Sequence, residues 1–221
     1  MPCKADTDER SAGRAARARR LAGLYAVTPD IADTALLLSR VEAALIGGAG
    51  AVQYRSKSSD ASLRRDQAAS LARLTAAHGR LFIVNDDAAL AAAAGADGVH
   101  LGEDDGSVAE ARELIGPDAI VGVSCYNRFD LAEAAAAAGA DYVAFGSFFP
   151  SSVKPGARRA GLALLERAKT LGIPVVAIGG ITASNAPSLA RAGAQAVAVI
   201  SAVFDASDVE AAARSIAAVY L

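Results

Sequence analysis

Eight times in succession from Leu24 onward, a short apolar run gives way to a polar or glycine turn and then to an alanine-rich stretch of helical length. The apolar runs fall at 24–28, 51–55, 81–85, 98–101, 120–124, 142–146, 175–178 and 196–200. Between them and after the last lie stretches at 33–46, 60–77, 87–94, 107–115, 128–138, 160–171, 184–192 and 207–219. Strands that alternate with helices at this spacing need crossover connections, and right-handed crossovers lay successive strands parallel. Eight such units predict an α/β fold of the closed (β/α)8 TIM-barrel type. An open doubly wound sheet is the alternative, because a repeat count does not prove closure. Asp60, Ser107, Thr182 or Ser184, and Ser207 or Asp208 are placed to cap helix starts. The pairs Gly50-Ala51, Gly95-Ala96, Gly139-Ala140 and Gly193-Ala194 are placed at helix ends, where glycine takes a left-handed conformation cheaply.

No linker interrupts the repeat, so residues 21–221 read as one barrel domain, and 53% hydrophobic residues supply a sizeable core. Residues 1–20 read as an N-terminal extension, poorly ordered or helical, with Arg10, Arg14, Arg17, Arg19 and Arg20 among alanines. Asp6, Asp8 and Glu9 count against a targeting helix there, and no apolar h-region marks a signal peptide. No apolar stretch reaches the roughly 18 residues that span a bilayer. A net charge of −2 gives no electrostatic footing for nucleic acid. Cys3 and Cys125 cannot build a disulfide framework, which fits a reducing cytoplasm. The expected partners are small molecules; self-association as a homo-oligomer stays open.

Polar residues close the apolar runs. They are Gln53-Tyr54-Arg55-Ser56-Lys57, Asn85-Asp86, Asp105 beyond Val99-His100-Leu101-Gly102, and Lys154 within Ser151-Ser152-Val153-Lys154-Pro155-Gly156. In a parallel barrel these ends meet at one rim, where two carboxylates and three cations suit a magnesium-bound, highly phosphorylated substrate. Gln53, Arg55 and Lys57 share one face of a continuing strand, and three large polar groups facing the barrel are costly without a ligand. Asp86 also suits a helix cap, and Asp104 competes with Asp105 as the second carboxylate. Asn85 offers donor and acceptor to a heteroaromatic edge. After the seventh and eighth runs, Gly179-Gly180 and Ile200-Ser201 occupy the slots where barrels bind phosphate through backbone N–H groups. The same glycines also fit a plain tight turn. Cys125 has no matched histidine to activate it, and His78 and His100 read as structural, with His100 lining the barrel.

Taken in order, Gln53-x-Arg55-x-Lys57, Asn85-Asp86, Gly98-Val99-His100-Leu101-Gly102, Gly122-Val123-Ser124, Lys154-Pro155-Gly156, Ile178-Gly179-Gly180-Ile181 and Val199-Ile200-Ser201 resemble the thiamine phosphate synthase (thiamine-phosphate pyrophosphorylase) family from Gly23 to Phe204. The resemblance implies a (β/α)8 barrel and a Mg2+-dependent transferase. It would join 4-amino-2-methyl-5-hydroxymethylpyrimidine diphosphate to thiazole phosphate by a dissociative substitution. The products are thiamine monophosphate and pyrophosphate, with CO2 from a carboxylated thiazole. It implies that residues 53–57, Asn85, Ser124 and Lys154 hold the pyrimidine diphosphate, with Arg55, Lys57, Ser124 and Lys154 serving the chemistry. It assigns Asp86 and Asp105 to Mg2+, and Ser151, Ser152, Val153, Gly180, Ile200 and Ser201 to the thiazole phosphate. The chain departs from the family pattern at Val153, which forfeits a hydroxyl, and at Asp87 and Glu103, which add negative charge near the metal. A thiazole tautomerase, a non-catalytic precursor-binding barrel and another phosphate-binding barrel isomerase are the rival readings.

Overall fold

The computed structural model describes residues 12–150 and 159–220; Ser151, Ser152, Val153, Lys154 and Cys3 lie outside them. Eight parallel strands close into a barrel in sequence order. They are β1 (Gly23–Val27), β2 (Ala51–Tyr54), β3 (Leu81–Asn85), β4 (Gly98–Leu101), β5 (Ile120–Tyr126), β6 (Tyr142–Gly146), β7 (Val175–Ile178) and β8 (Ala196–Val199). The ring is sealed by β1 against β8, with Tyr25 opposite Ala198. That excludes the open sheet.

A helix over 12–18, α1, precedes the barrel. The strands are then followed by α2 (Thr34–Ile46), α3 (Ala61–Ala77), α4 (Ala88–Ala94), α5 (Val108–Ile115), α6 (Phe129–Ala137), α7 (Leu162–Ala168) and α8 (Ala186–Ala192). After β8 come a four-residue helix, α9 (Ser201–Phe204), and α10 (Val209–Ala217). Among these helices none is long and apolar enough to cross a membrane.

Local chemistry explains the helix boundaries. Asp60 accepts from the N–H groups of Ser62 and Leu63, and Asp208 from that of Ala211. Ser107 and Glu110 form a reciprocal capping box at α5. Asp33 caps α2, and Asp87 caps α4 in place of the expected Asp86. Asn185, rather than Thr182 or Ser184, is the residue preceding α8. Gly50 is not a helix end either: α2 stops at Gly47, and a Cβ on Gly50 would stand 2.5 Å from the Ala22 carbonyl oxygen.

The strand N-termini are tied by one device used three times. Asp97, Asp141 and Gln195 each immediately precede a strand, and each side chain accepts the N–H of a residue on the preceding strand. The pairs are Asp97 with Phe82 at 2.9 Å, Asp141 with Val121 at 2.8 Å and Gln195 with Val175 at 2.6 Å. Asp141 also receives Arg112 at 2.6 Å and Arg14 of α1 at 3.3 Å. Arg14, Arg17 and Arg20 further donate to the carbonyls of Pro117, Asp118 and Gly79. The arginine-rich segment thus docks across the closed end of the barrel, and Leu21 packs into the interior beneath it with Tyr25, Leu81, Ile83 and Ile120.

The larger core lies between the outward strand faces and the helices, and buries residues such as Leu37, Val52, Leu71, Phe82, Phe145 and Phe204. Removing one member of a buried ion pair leaves its partners uncompensated. Asp141→Ala is therefore expected to cost about 3 kcal/mol in urea unfolding, by loss of both arginines and the Val121 N–H acceptor. A change below about 0.5 kcal/mol would show that this clamp does not hold the closed end.

Candidate active site

Strand alternation decides which side chains enter the barrel. At the C-terminal mouth a cavity of about 590 Å³ is lined by Gln53, Arg55, Asn85 and Ser124 from β2, β3 and β5. Gly179, Gly180, Ile200 and Ser201 line it after β7 and β8. Seven of the residues singled out from sequence therefore share one space: Gln53, Arg55, Asn85, Ser124, Gly180, Ile200 and Ser201. Tyr54 does not. Its side chain faces the helix layer, where it is 2% exposed and its hydroxyl donates to Gln67 at 2.8 Å. The strand pleat turns it away from Gln53 and Arg55, and this corrects its expected place at the ligand.

The loop carrying Arg55 is held from β1. Thr28 Oγ1 accepts the Arg55 N–H at 2.9 Å and donates to the Arg55 carbonyl at 3.2 Å. Asp30 accepts the Lys57 N–H at 2.6 Å. Lys57 and Ser56 stand outside the cavity lining, with Lys57 exposed at the rim.

Asp86 and Asp105 lie beyond the ends of adjacent strands. Asp86 is exposed and takes left-handed backbone, with φ of 65°, and its N–H donates to the His100 carbonyl of β4 at 2.8 Å. Asp105 folds back to accept the Gly102 N–H at 2.7 Å. Asp86 is thus held through its backbone and Asp105 through its carboxylate, both beside the end of β4. Among the described residues no group of three or more His, Cys, Asp or Glu forms a metal cluster. Two hard carboxylates on neighbouring strands still suit a divalent ion whose remaining positions are filled by water and phosphate oxygens.

Asp87 caps α4 through the Leu90 N–H at 2.8 Å and pairs with Arg64 at 3.4 Å, so its charge is met locally. Glu103 lines the cavity opposite Arg128 of the β5 loop.

At the other side of the mouth, Gly179 and Gly180 have φ of 105° and 64°. A Cβ on Gly180 would stand 2.2 Å from the Pro150 carbonyl oxygen, so the turn needs glycine for close packing as well as for its backbone sign. The Gly179 and Gly180 carbonyls are taken by the Phe149 N–H and the Asn185 amide. The short helix α9 begins at Ser201, and Arg40 of α2 holds its far end through the Phe204 carbonyl. A short extra helix after β8 beside the β7 turn is the phosphate-binding arrangement common in these barrels.

Among the lining residues not singled out from sequence are Tyr126, Asn127 and Arg128, which lie at and beyond a register shift between Ser124 and Tyr126; Tyr126 takes left-handed backbone with φ of 52°. A bulky residue in that region costs about 1–3 kcal/mol, which neither composition nor period discloses. The interior below the cavity is polar. Gln53 Nε2 donates to Tyr25 Oη at 2.9 Å, and Tyr25 and Tyr142 hydroxyls meet at 3.0 Å. His100 Nδ1 lies 2.9 Å from Tyr142 Oη, and its Nε2 2.9 Å from Ser124 Oγ. Gly122 makes room for the Tyr142 ring, which a Cβ would meet at 2.0 Å. Cys125 is buried, and burial pushes its thiol up to about 12.

The model for the family described as thiamine monophosphate synthase matches residues 24–203. The fold is that of an α/β-barrel enzyme with its cavity at the C-terminal mouth of the strands. The chain belongs to the thiamine monophosphate synthase family, whose members are transferases. It is 59% identical over 198 residues to the thiamine-phosphate synthase of Chromobacterium violaceum, covering 90% of this chain and 96% of that one. It is 58% identical over 195 residues to that of Thiobacillus denitrificans, covering 88% and 92%. A solved structure, thiamine phosphate pyrophosphorylase from Pyrococcus furiosus, superposes with a TM-score of 0.81 at 38% identity, covering 91% and 96%.

Burial lowers the His100 pKa from 6.5 to about 4, against a small opposing pull from Asp105. Between those values the unfolded chain binds the proton and the folded chain does not, so stability rises with pH across that window. Acidification from pH 6.5 to pH 4 is expected to cost up to about 3 kcal/mol through this residue. The same interval should be flatter in His100→Asn; urea unfolding at several pH values checks this, and equal slopes would contradict it.

Proposed function

We propose that this protein transfers the aminopyrimidine methyl group of 4-amino-2-methyl-5-hydroxymethylpyrimidine diphosphate to thiazole phosphate, forming thiamine monophosphate and pyrophosphate in the presence of Mg2+. Family membership and the high identity to thiamine-phosphate synthases support the overall reaction. The observation that carries it is a single cavity with two chemically different sides. Gln53, Arg55, Asn85 and Ser124 stand on one side, and Gly180, Ile200 and Ser201 on the other.

Each residue has a task that follows from its chemistry. The Arg55 guanidinium offers a planar fork to diphosphate oxygens, from a backbone clamped by Thr28. Carboxamides at Gln53 and Asn85 meet the donor and acceptor edge of the pyrimidine. Backbone N–H groups of the Gly179–Gly180 turn and the start of α9 take the thiazole phosphate, together with the Ser201 hydroxyl. Lys57 at the rim adds positive charge, and the family resemblance gives Lys154 the same task. Asp86 and Asp105 would hold Mg2+, which when bound would neutralise charge on the departing diphosphate. The carbon–oxygen bond to diphosphate breaks with its electron pair leaving on oxygen. The electron-rich aminopyrimidine spreads the resulting positive charge, and the thiazole nitrogen then donates its lone pair to that carbon. No protein nucleophile takes part, and the Cys125 thiol is kept protonated by burial.

Incubation of the purified protein with both precursors and Mg2+ should release pyrophosphate and thiamine monophosphate in equal amounts; a folded sample that forms neither overturns the reading. Arg55→Ala is expected to lower turnover by roughly 10²-fold, the scale for losing a preorganised charge partner. Asp86→Asn should shift the Mg2+ titration of activity to higher concentration, and an unchanged titration curve would remove Asp86 as a ligand.

A further inference from the structure

Barrel interiors of this fold are ordinarily filled by branched aliphatic side chains. Here five polar residues run through that space as one hydrogen-bonded chain: Gln53, Tyr25, Tyr142, His100 and Ser124. Gln53, Tyr25, His100 and Ser124 all border the cavity, whereas Tyr142, which joins Tyr25 to His100, does not and is 0% exposed. Buried polar groups have to be paired, and each hydroxyl has one hydrogen to give.

The orientation of the Gln53 amide assigns the chain a direction. The Gln53 amide donates to Tyr25, so the Tyr25 hydrogen goes to the Tyr142 oxygen. The Tyr142 hydrogen then goes to His100 Nδ1, and the neutral imidazole carries its own hydrogen on Nε2. That hydrogen is given to Ser124 Oγ, and the Ser124 hydrogen is left for a ligand. The two ends are therefore opposite in kind: a Gln53 carbonyl oxygen that accepts and a Ser124 hydroxyl that donates. Turning the amide over would reverse every link and exchange the two roles.

We propose that Tyr25, Tyr142 and His100 are positioning residues whose ordered hydrogen-bond chain makes Gln53 an acceptor and Ser124 a donor, and so selects a ligand with an amine at one end and an anionic oxygen at the other. The identity of that ligand as the aminopyrimidine diphosphate rests on the function proposed above; the ordering of the chain does not. A 4-oxo pyrimidine diphosphate presents a carbonyl oxygen where the substrate has its amine, and would oppose the Gln53 oxygen. Tyr142→Phe cuts the chain in the middle yet keeps the ring that packs over Gly122.

The chain has only two histidines, so their ¹⁵N signals are simple to assign by comparison with His78→Asn. Labelled full-length protein without ligand should show His100 in the Nε2–H tautomer alone, with Nδ1 accepting a hydrogen bond. In Tyr142→Phe the Nδ1–H tautomer should become populated. A wild-type His100 in the Nδ1–H tautomer, or a mixture, overturns the ordering whatever the protein catalyses. Calorimetric binding of the two diphosphates then tests selection: wild type should prefer the amino over the 4-oxo compound, and Tyr142→Phe should lose that preference by about tenfold. Unchanged preference in a folded variant overturns the selective role. If Tyr142→Phe unfolds, Tyr25→Phe cuts the chain one link earlier and is read by the same two outcomes. An ordered tautomer in a protein that makes no thiamine monophosphate would sink the proposed reaction and leave the relay standing.

Discussion

Closure of β8 onto β1 is the constraint on which the other features depend. It removes both sheet edges, and it forces eight strand ends from distant parts of the sequence into one ring. The cost falls at the opposite end, where the ring has to be sealed against water. Three acceptor side chains, Asp97, Asp141 and Gln195, bind N–H groups across neighbouring strands there. Arginines of α1 lie over them, and Leu21 fills the interior beneath. The stable end and the chemical end of the barrel are thus separate, so loops at the mouth can carry strain such as that at Tyr126 without loosening the ring.

A second consequence of closure is that the inside of the barrel is too small for an uncommitted polar group. Tyr142 fits only because Gly122 lacks a side chain, and Gly98 similarly yields to Ile120, which a Cβ would meet at 2.8 Å. The glycine on β5 therefore decides where the large polar residue of β6 sits. The buried tyrosines and histidine are satisfied by one another, and the seam they form ends at the cavity instead of at the helix layer. Packing and ligand recognition share the same side chains.

Much of this was legible in the chain. The eightfold alternation located every strand to within a residue or two, because short β-branched runs and alanine-rich helices differ in both length and period. Gln53, Arg55 and Asn85 were readable as lining residues because large polar side chains at inward strand ends have no structural reason to be there; Gly179, Gly180 and Ser201 were readable from their slots after the seventh and eighth strands, and Ser124 through the family resemblance alone. Tyr54 was misplaced since it lies within a functional run but on its other face. The Gly-Ala-Asp and Gly-Ala-Gln triplets at 95–97, 139–141 and 193–195 repeat in the sequence, yet their third residue reveals its strand clamp only when the neighbouring strand is known. Tyr25, Tyr142 and Tyr126 read as ordinary core or loop residues, because a register shift and a glycine on another strand determine where they point. Asp87 departs from the family pattern in sequence alone; in three dimensions Arg64 meets its charge.

The central claim is that one cavity holds two anions side by side, diphosphate near Arg55 and a monophosphate near Gly180 and Ser201. Calorimetric titration of thiazole phosphate into protein already saturated with pyrophosphate and Mg2+ tests it most directly. Simultaneous binding, one of each per chain, with pyrophosphate alone weakened by Arg55→Ala, is the predicted result. Mutual displacement of the two anions from a single site would contradict it.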